Sequence, residues 1–168
     1  MTRLTLVLGG ARSGKSRYAE QLFASAAAPL YIATGEGLDE EMRQRIAHHR
    51  QNRGAHWQTV EEPLDLAGIV RRHRDRPLLV DCLTLWLGNL LAAGSDIESE
   101  FAALERALAG VTGPAVLVSN EVGMGIVPDN RMARDFRDHA GRLHQRVGAL
   151  SDRVVFVVAG LPMILKDL

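Results

Sequence analysis

Gly9-Gly10-Ala11-Arg12-Ser13-Gly14-Lys15-Ser16 reads G-x-x-x-x-G-K-S/T without a mismatch. It stands directly behind the apolar run Leu4-Thr5-Leu6-Val7-Leu8 and directly ahead of a segment of helical composition. That context dictates a strand, a glycine-rich turn and a helix in succession, the unit around which parallel α/β sheets are wound. Glycines let the backbone bend so that successive N–H groups point inward at phosphate oxygens, and the helix N-terminus adds partial positive charge. Lys15 is placed to reach the outer phosphates, and Ser16 to supply a hydroxyl to Mg²⁺. The eight residues therefore predict a nucleoside triphosphate cradle. A chance turn with this pattern is expected in well below ~5% of chains this long.

The rest of the chain repeats the alternation that this unit requires. Short, nearly continuous apolar runs predict strands at Leu4–Leu8, Leu30–Ala33, Leu78–Asp81, Val116–Ser119 and Val154–Ala159, each covered on both faces. Helices are expected from Gly14 to about Ala27, Asp39 to Arg53, Leu64 to Arg74, Thr84 to Ala92, Glu98 to Ala109 and Arg131 to Leu150. Pro29, Pro63, Pro77, Pro114 and Pro128 all fall between these elements. With 168 residues and no proline- or serine-rich linker, one domain over residues 1–168 is expected. The fold class is α/β: a P-loop NTPase-like, RecA-like, mostly parallel sheet with helices on both faces.

Charge and cysteine usage narrow the partners. Twenty Lys and Arg balance twenty Asp and Glu, which argues against nucleic acid as the main partner while leaving room for a small anionic ligand. The lone Cys82 excludes an internal disulfide framework and a multi-cysteine metal site. The longest apolar stretch, Val154 to Leu165, is too short to span a membrane and contains Gly160 and Pro162. No signal-peptide pattern precedes the first strand, so a soluble, cytoplasmic protein without stable membrane insertion is expected.

Two further sites stand out from the residues themselves. Asp81 ends an apolar strand at the edge where open α/β sheets bind ligands, so it is a candidate for holding Mg²⁺; capping the helix that follows is the competing role. Leu38, Met42, Ile46 and His49 share one helical stripe, whereas His48 lines up with Glu41, Gln44 and Arg45. Periodicity thus separates a packing histidine from an accessible one. An accessible imidazole serves as nucleophile, base or proton shuttle, or is simply solvated. Adjacent residues on a helix point about 100° apart, which disfavours joint metal ligation.

The phosphate loop, Tyr31-Ile32-Ala33-Thr34, Asp39-Glu40-Glu41-Met42, Arg45-Ile46-Ala47-His48-His49 and His56-Trp57 form part of a longer pattern. Asn120-Glu121-Val122-Gly123-Met124-Gly125-Ile126-Val127-Pro128 and Phe136-Arg137-Asp138-His139-Ala140-Gly141-Arg142 complete it. Over nearly its whole length the chain resembles the bifunctional adenosylcobinamide kinase/adenosylcobinamide-phosphate guanylyltransferase family of cobalamin assembly. The resemblance implies phosphorylation of adenosylcobinamide with ATP or GTP. It further implies transfer of GMP from GTP to adenosylcobinamide phosphate, giving adenosylcobinamide-GDP and pyrophosphate. The family's guanylylated histidine aligns with His48, and a homotrimer is expected by the same resemblance.

Further expectations attach to other residues. Thr34, Gly35 and Glu36 follow the second strand, within reach of a base or ribose. The resemblance suggests a guanine contact near Glu61 and Glu62, where an acid accepting from the base would favour GTP; a helix-start carboxylate is the alternative. Arg50 and Arg53 follow His48 and either neutralise phosphates or face solvent. Glu121 is a candidate general base for the kinase step, with capping or ion pairing equally open. Trp57 is expected to pack rather than stack on a ligand, Gly123 and Gly125 to permit a tight turn, and the arginines from Arg131 to Arg146 to form a charged helix face. Two other functions fit the loop alone. A small-molecule kinase without nucleotidyl transfer would leave His48 dispensable, and a nucleotide-dependent switch would need a protein partner.

Overall fold

A computed structural model describes residues 2–36, 40, 44, 54 and 56–168. Strand β1 (Leu4–Gly9) lies inside a seven-stranded sheet, with β5 (Ala115–Asn120) on one side and β6 (Arg153–Val158) on the other. Beyond β5 lie β4 (Leu78–Asp81), β2 (Leu30–Ala33) and β3 (Gln58–Glu61), all parallel. Beyond β6, β7 (Leu161–Asp167) runs antiparallel. One strand thus stands between the strand bearing the phosphate loop and the strand ending in Asp81.

Side-chain alternation along β1 shows why both faces need cover. Leu4, Leu6 and Leu8 pack on one side of the sheet and Val7 on the other. Helix α1 (Lys15–Gln21) covers the second side through Ala19, joined by Phe23 just beyond it. The first side is covered by α2 (Leu66–Arg72), α3 (Leu83–Ala92), α4 (Ile97–Ala109) and α5 (Arg131–Leu150). Trp86, Phe101, Leu104 and Val147 are fully buried there. Each such side chain contributes about 1.5–3 kcal/mol by leaving water. Helix starts follow local chemistry: Asp65, Asp96 and Asn130 accept from Gly68, Ser99 and Ala133 N–H groups at 2.9, 3.4 and 2.8 Å.

The sequence pattern correctly locates five strands and five of the helices, with small shifts at their ends. The expected helix over Asp39–Arg53 lies outside the described residues. The first helix is shorter than expected because its chain tightens into i→i+3 bonds from Leu22 to Ala26. Two strands lack the expected signal. β3 is an edge strand whose residues are mostly exposed, so Gln58-Thr59-Val60-Glu61 carries no apolar run. β7 contains Pro162, which an edge strand tolerates, and follows β6 through a two-residue turn. Ala159 and Gly160 in that turn have φ of 52° and 79°, as a type I′ hairpin requires.

Candidate active site

The loop after β1 is shaped by short-range bonds. Ser13 N–H donates to the Gly10 carbonyl at 3.3 Å, Tyr18 N–H to Gly14 at 3.0 Å, and Lys15 Nζ to the Gly10 carbonyl at 3.3 Å. Gly14 is the N-cap of α1 with φ of 96°, a region in which a side chain is strained. An added Cβ there would lie 3.2 Å from the Gly160 Cα, so the β6–β7 turn forms one wall of the loop. Gly160 N–H also donates to the Ser13 carbonyl at 2.8 Å. Ala11 and Arg12 at the tip are exposed, Lys15 is buried and Ser16 is half-buried. Ser13 Oγ is buried and has no hydrogen-bond partner, as has Asn120 Oδ1. Both belong to residues at the carboxyl edge of the sheet, where Asn120 is level with Gly9. Unpaired buried oxygens at such an edge are suited to a polar ligand.

Asp81 does not cap the next helix: the N-cap is Cys82, which makes no side-chain cap bond. Its Oδ2 instead accepts a 2.5 Å hydrogen bond from the Tyr31 hydroxyl. Tyr31 is buried, with its ring edge-on to Trp57 at 5.5 Å. Trp57 also meets Phe23 edge-on at 5.4 Å and is a packing aromatic, as expected. Among the described residues no group of three or more His, Cys, Asp and Glu could hold a metal. A cation here would rest on the Ser16 hydroxyl, the Asp81 carboxylate and ligand oxygens, a donor set that suits Mg²⁺. The Cys82 thiol is pushed up to about 11, first by burial and then by the Asp81 charge, so it stays a protonated packing group.

Polar ties organise the strand ends farther along. The buried Thr34 hydroxyl accepts from Cys82 N–H at 2.9 Å and donates to the Cys82 carbonyl at 2.7 Å, joining β2 to β4. Its side chain is committed to the scaffold, while Gly35 is half-buried and Glu36 exposed. Asn89 Nδ2 donates to the Thr34 and Pro63 carbonyls at 2.7 and 3.1 Å, stitching the segment after β2 to the segment after β3. Glu62 Oε1 accepts from Leu64 and Asp65 N–H groups at 3.0 and 2.8 Å, so it braces the turn into α2. Glu61 is exposed at the end of β3. Four strand steps of about 4.8 Å put β3 roughly 19 Å from β1. His48 and Arg53, like His49 and Arg50, lie outside the described residues.

Tyr31, Asn89, Ser119 and His144 were not singled out as functional from the sequence; the last two gather beside Glu121, which was. Ser119 Oγ and His144 Nε2 are 2.7 Å apart, and His144 Nδ1 lies 3.7 Å from Glu121 Oε2. His144 shares the buried stripe of α5 with Ala140, Leu143 and Val147. A polar side chain on an apolar stripe was the available signal, masked by the arginines around it. Gly123 N–H donates to Glu121 Oε1. Neither Gly123 nor Gly125 has a positive φ.

A family model described as cobinamide kinase/cobinamide phosphate guanyltransferase matches residues 5–165. The bifunctional adenosylcobalamin biosynthesis protein CobP of Pseudomonas aeruginosa is 52% identical over 96% of both chains. The CobU protein of Salmonella typhimurium is 47% identical, over 97% of this chain and 99% of its own, and that of Escherichia coli 42% over the same shares. Among solved structures, an ATPase of a type III secretion system of pathogenic bacteria superposes with a TM-score of 0.62 at 14% identity. That match covers 96% of this chain and 56% of the ATPase, and shows a shared fold.

Proposed function

The chain belongs to the cobinamide kinase/cobinamide phosphate guanylyltransferase family of adenosylcobalamin biosynthesis, and from that premise we propose how its residues divide the two reactions. The Gly9–Ser16 loop holds the phosphates of ATP or GTP for the kinase step and the departing pyrophosphate of GTP for the guanylyl step. Lys15 and the inward N–H groups stabilise charge that develops on those phosphates. The observation that supports this reading best is the loop itself: it sets Lys15 at the start of α1 and carries a buried, unpartnered Ser13 Oγ, directly beside the strand edge bearing Asn120.

Ser16 and Asp81 hold Mg²⁺ in this reading. When bound, the ion supplies charge neutralisation on phosphate oxygens. Tyr31 fixes one oxygen of Asp81 and leaves its carboxylate aimed by a rigid ring. In the guanylyl step neutral His48 attacks the α-phosphorus of GTP, a P–N bond forms, and the bond to the pyrophosphate oxygen breaks. The phosphate of adenosylcobinamide phosphate then displaces His48 and takes the GMP, giving adenosylcobinamide-GDP. Arg53 is assigned to phosphate neutralisation. Glu61 and Glu62, with the Thr34–Glu36 segment, are assigned to the distal, base end of the nucleotide, in keeping with the roughly 19 Å that separates β3 from β1. Glu62 acts through the turn it braces, because Oε1 is already spent on two N–H groups.

The chain is further read as one domain over residues 1–168, cytoplasmic and homotrimeric. The apolar outer strand, with Leu161, Met163, Ile164 and Leu165 all more than half exposed, supports an assembly that covers it. Intact-protein mass spectrometry after mixing with GTP and Mg²⁺ tests the central step. A gain of one GMP, acid-labile and lost in His48→Ala, is expected; an adduct that survives His48→Ala removes His48 as nucleophile.

A further inference from the structure

Phosphorylating an alcohol requires somewhere for its proton to go, and among the described residues the edge of the sheet offers few carboxylates near the phosphate loop. Asp81 is tied to Tyr31, while Glu61 and Glu62 stand four strands from β1. Glu121 follows β5, the immediate neighbour of β1, and its N–H donates to the Gly9 carbonyl at 3.0 Å. Its backbone is therefore pinned to the first residue of the phosphate loop, and its side chain is 19% exposed and so reachable by a substrate.

The surroundings of that carboxylate are built rather than incidental. Ser119 shares the face of Leu117 on β5, the side covered by α5, and Glu121, one residue past the strand, turns to the same side. His144 on α5 meets both: Nε2 lies 2.7 Å from the Ser119 hydroxyl, and Nδ1 faces Glu121 Oε2 at 3.7 Å. The linear order Ser, His, acid resembles a hydrolytic triad. Ser119, however, is fully buried and no substrate can reach it, so its hydroxyl anchors and does not attack. Burial favours neutral imidazole, with Glu121 opposing that shift. The tautomer that satisfies both neighbours accepts from Ser119 at Nε2 and presents Nδ1–H to Glu121. The other carboxylate oxygen accepts from Gly123 N–H.

We propose that Glu121 is the general base of the kinase step and that His144, anchored by Ser119, is the positioning residue that aims its carboxylate. This rests on the kinase reading above. As the substrate hydroxyl oxygen bonds to the γ-phosphorus, its proton passes to Glu121 and the bond to the β-phosphate oxygen breaks. The nucleoside diphosphate leaves, and Glu121 returns the proton to solvent. His144 touches no reacting atom.

The test measures cobinamide phosphorylation with ATP beside GMP-adduct formation in the whole protein and its variants. Glu121→Gln is expected to lower kinase kcat by about 100-fold or more, the range of a lost general base. His144→Ala is expected to lower it about 10- to 100-fold through misplacement, with KM for the triphosphate unchanged. Ser119→Ala should move in the same direction by less, and His144→Gln should recover part of the loss because its amide restores a donor. Wild-type kcat in His144→Ala overturns the positioning role. Loss of kinase and adduct together with a raised KM does so too, since that is mere structural damage. Should His144→Ala not fold, unchanged kcat in both Ser119→Ala and His144→Gln overturns it. Wild-type kcat in Glu121→Gln overturns the base assignment. Each of these differs from failure of the underlying reading, in which the wild-type protein itself neither phosphorylates cobinamide nor takes up GMP.

Discussion

Replacing Tyr31 by Phe removes a single oxygen from the interior and tests what Asp81 is for. The ring remains, 1% exposed and edge-on to Trp57 at 5.5 Å, so almost no packing is lost. What disappears is the 2.5 Å bond from the hydroxyl to Asp81 Oδ2. A hydrogen bond to a charged group is worth about 1.5–3 kcal/mol. For a chain of this length, each kcal/mol moves Tm by about 2–4 °C, so Tyr31→Phe should unfold roughly 3–12 °C below the parent. If Asp81 holds Mg²⁺, the freed carboxylate also loses its aim. The loss of such a supporting bond raises the Mg²⁺ concentration for half-maximal kinase activity by about 10-fold or more. Thermal unfolding followed by calorimetry, together with a Mg²⁺ titration of the phosphorylation rate, reads both effects. A Tm within about 1 °C of the parent would refute the energetic argument, because the expected loss corresponds to at least about 3 °C. A lowered Tm with an unchanged Mg²⁺ requirement would instead refute the metal role of Asp81 and leave the bond a purely structural one.

Two other perturbations bear on the same site. Gly14→Ala places a side chain at φ of 96° and a Cβ 3.2 Å from the Gly160 Cα; about 1–2 kcal/mol of stability should be lost, with weaker nucleotide binding by calorimetric titration. Because burial holds His144 below its ordinary value of 6.5, the unfolded chain takes up a proton that the folded chain resists. This contribution is fully present above pH 6.5 and declines as pH falls below it. The urea midpoint should therefore drop between about pH 7.5 and 5.5, and drop less in His144→Gln.

The elements that were legible in the sequence are those whose signal is local. Continuous apolar runs at Leu4–Leu8 and Leu78–Asp81 mark strands buried on both faces, and the helical pattern from Arg131 to Leu150 marks a long helix, whose start the structure shows capped by Asn130. The phosphate loop was legible for the same reason: its glycines, lysine and serine act within one turn. β3 was not, because an exposed edge strand needs no apolar residues, and β7 was not, because Pro162 reads as a break unless the strand is known to lie at an edge. The Tyr31–Asp81 bond and the Ser119–His144–Glu121 group depend on which strands and helices become neighbours. Tyr31 and Asp81 lie on adjacent strands but fifty positions apart in the chain. Nothing at either position announces the other.

The Gly160-to-Ser13 bond has a consequence for how the protein comes into being. β1 precedes both of its sheet neighbours, β5 and β6, in the chain, and the wall against Gly14 comes from the turn after β6. The cradle is thus begun by the loop after β1 and completed only by a turn far along the chain from it. Nucleotide can stabilise only a chain that already has that turn in place. Until that turn is made the phosphate loop has no wall at Gly14, so stabilisation by nucleotide couples the loop to a segment distant in the chain.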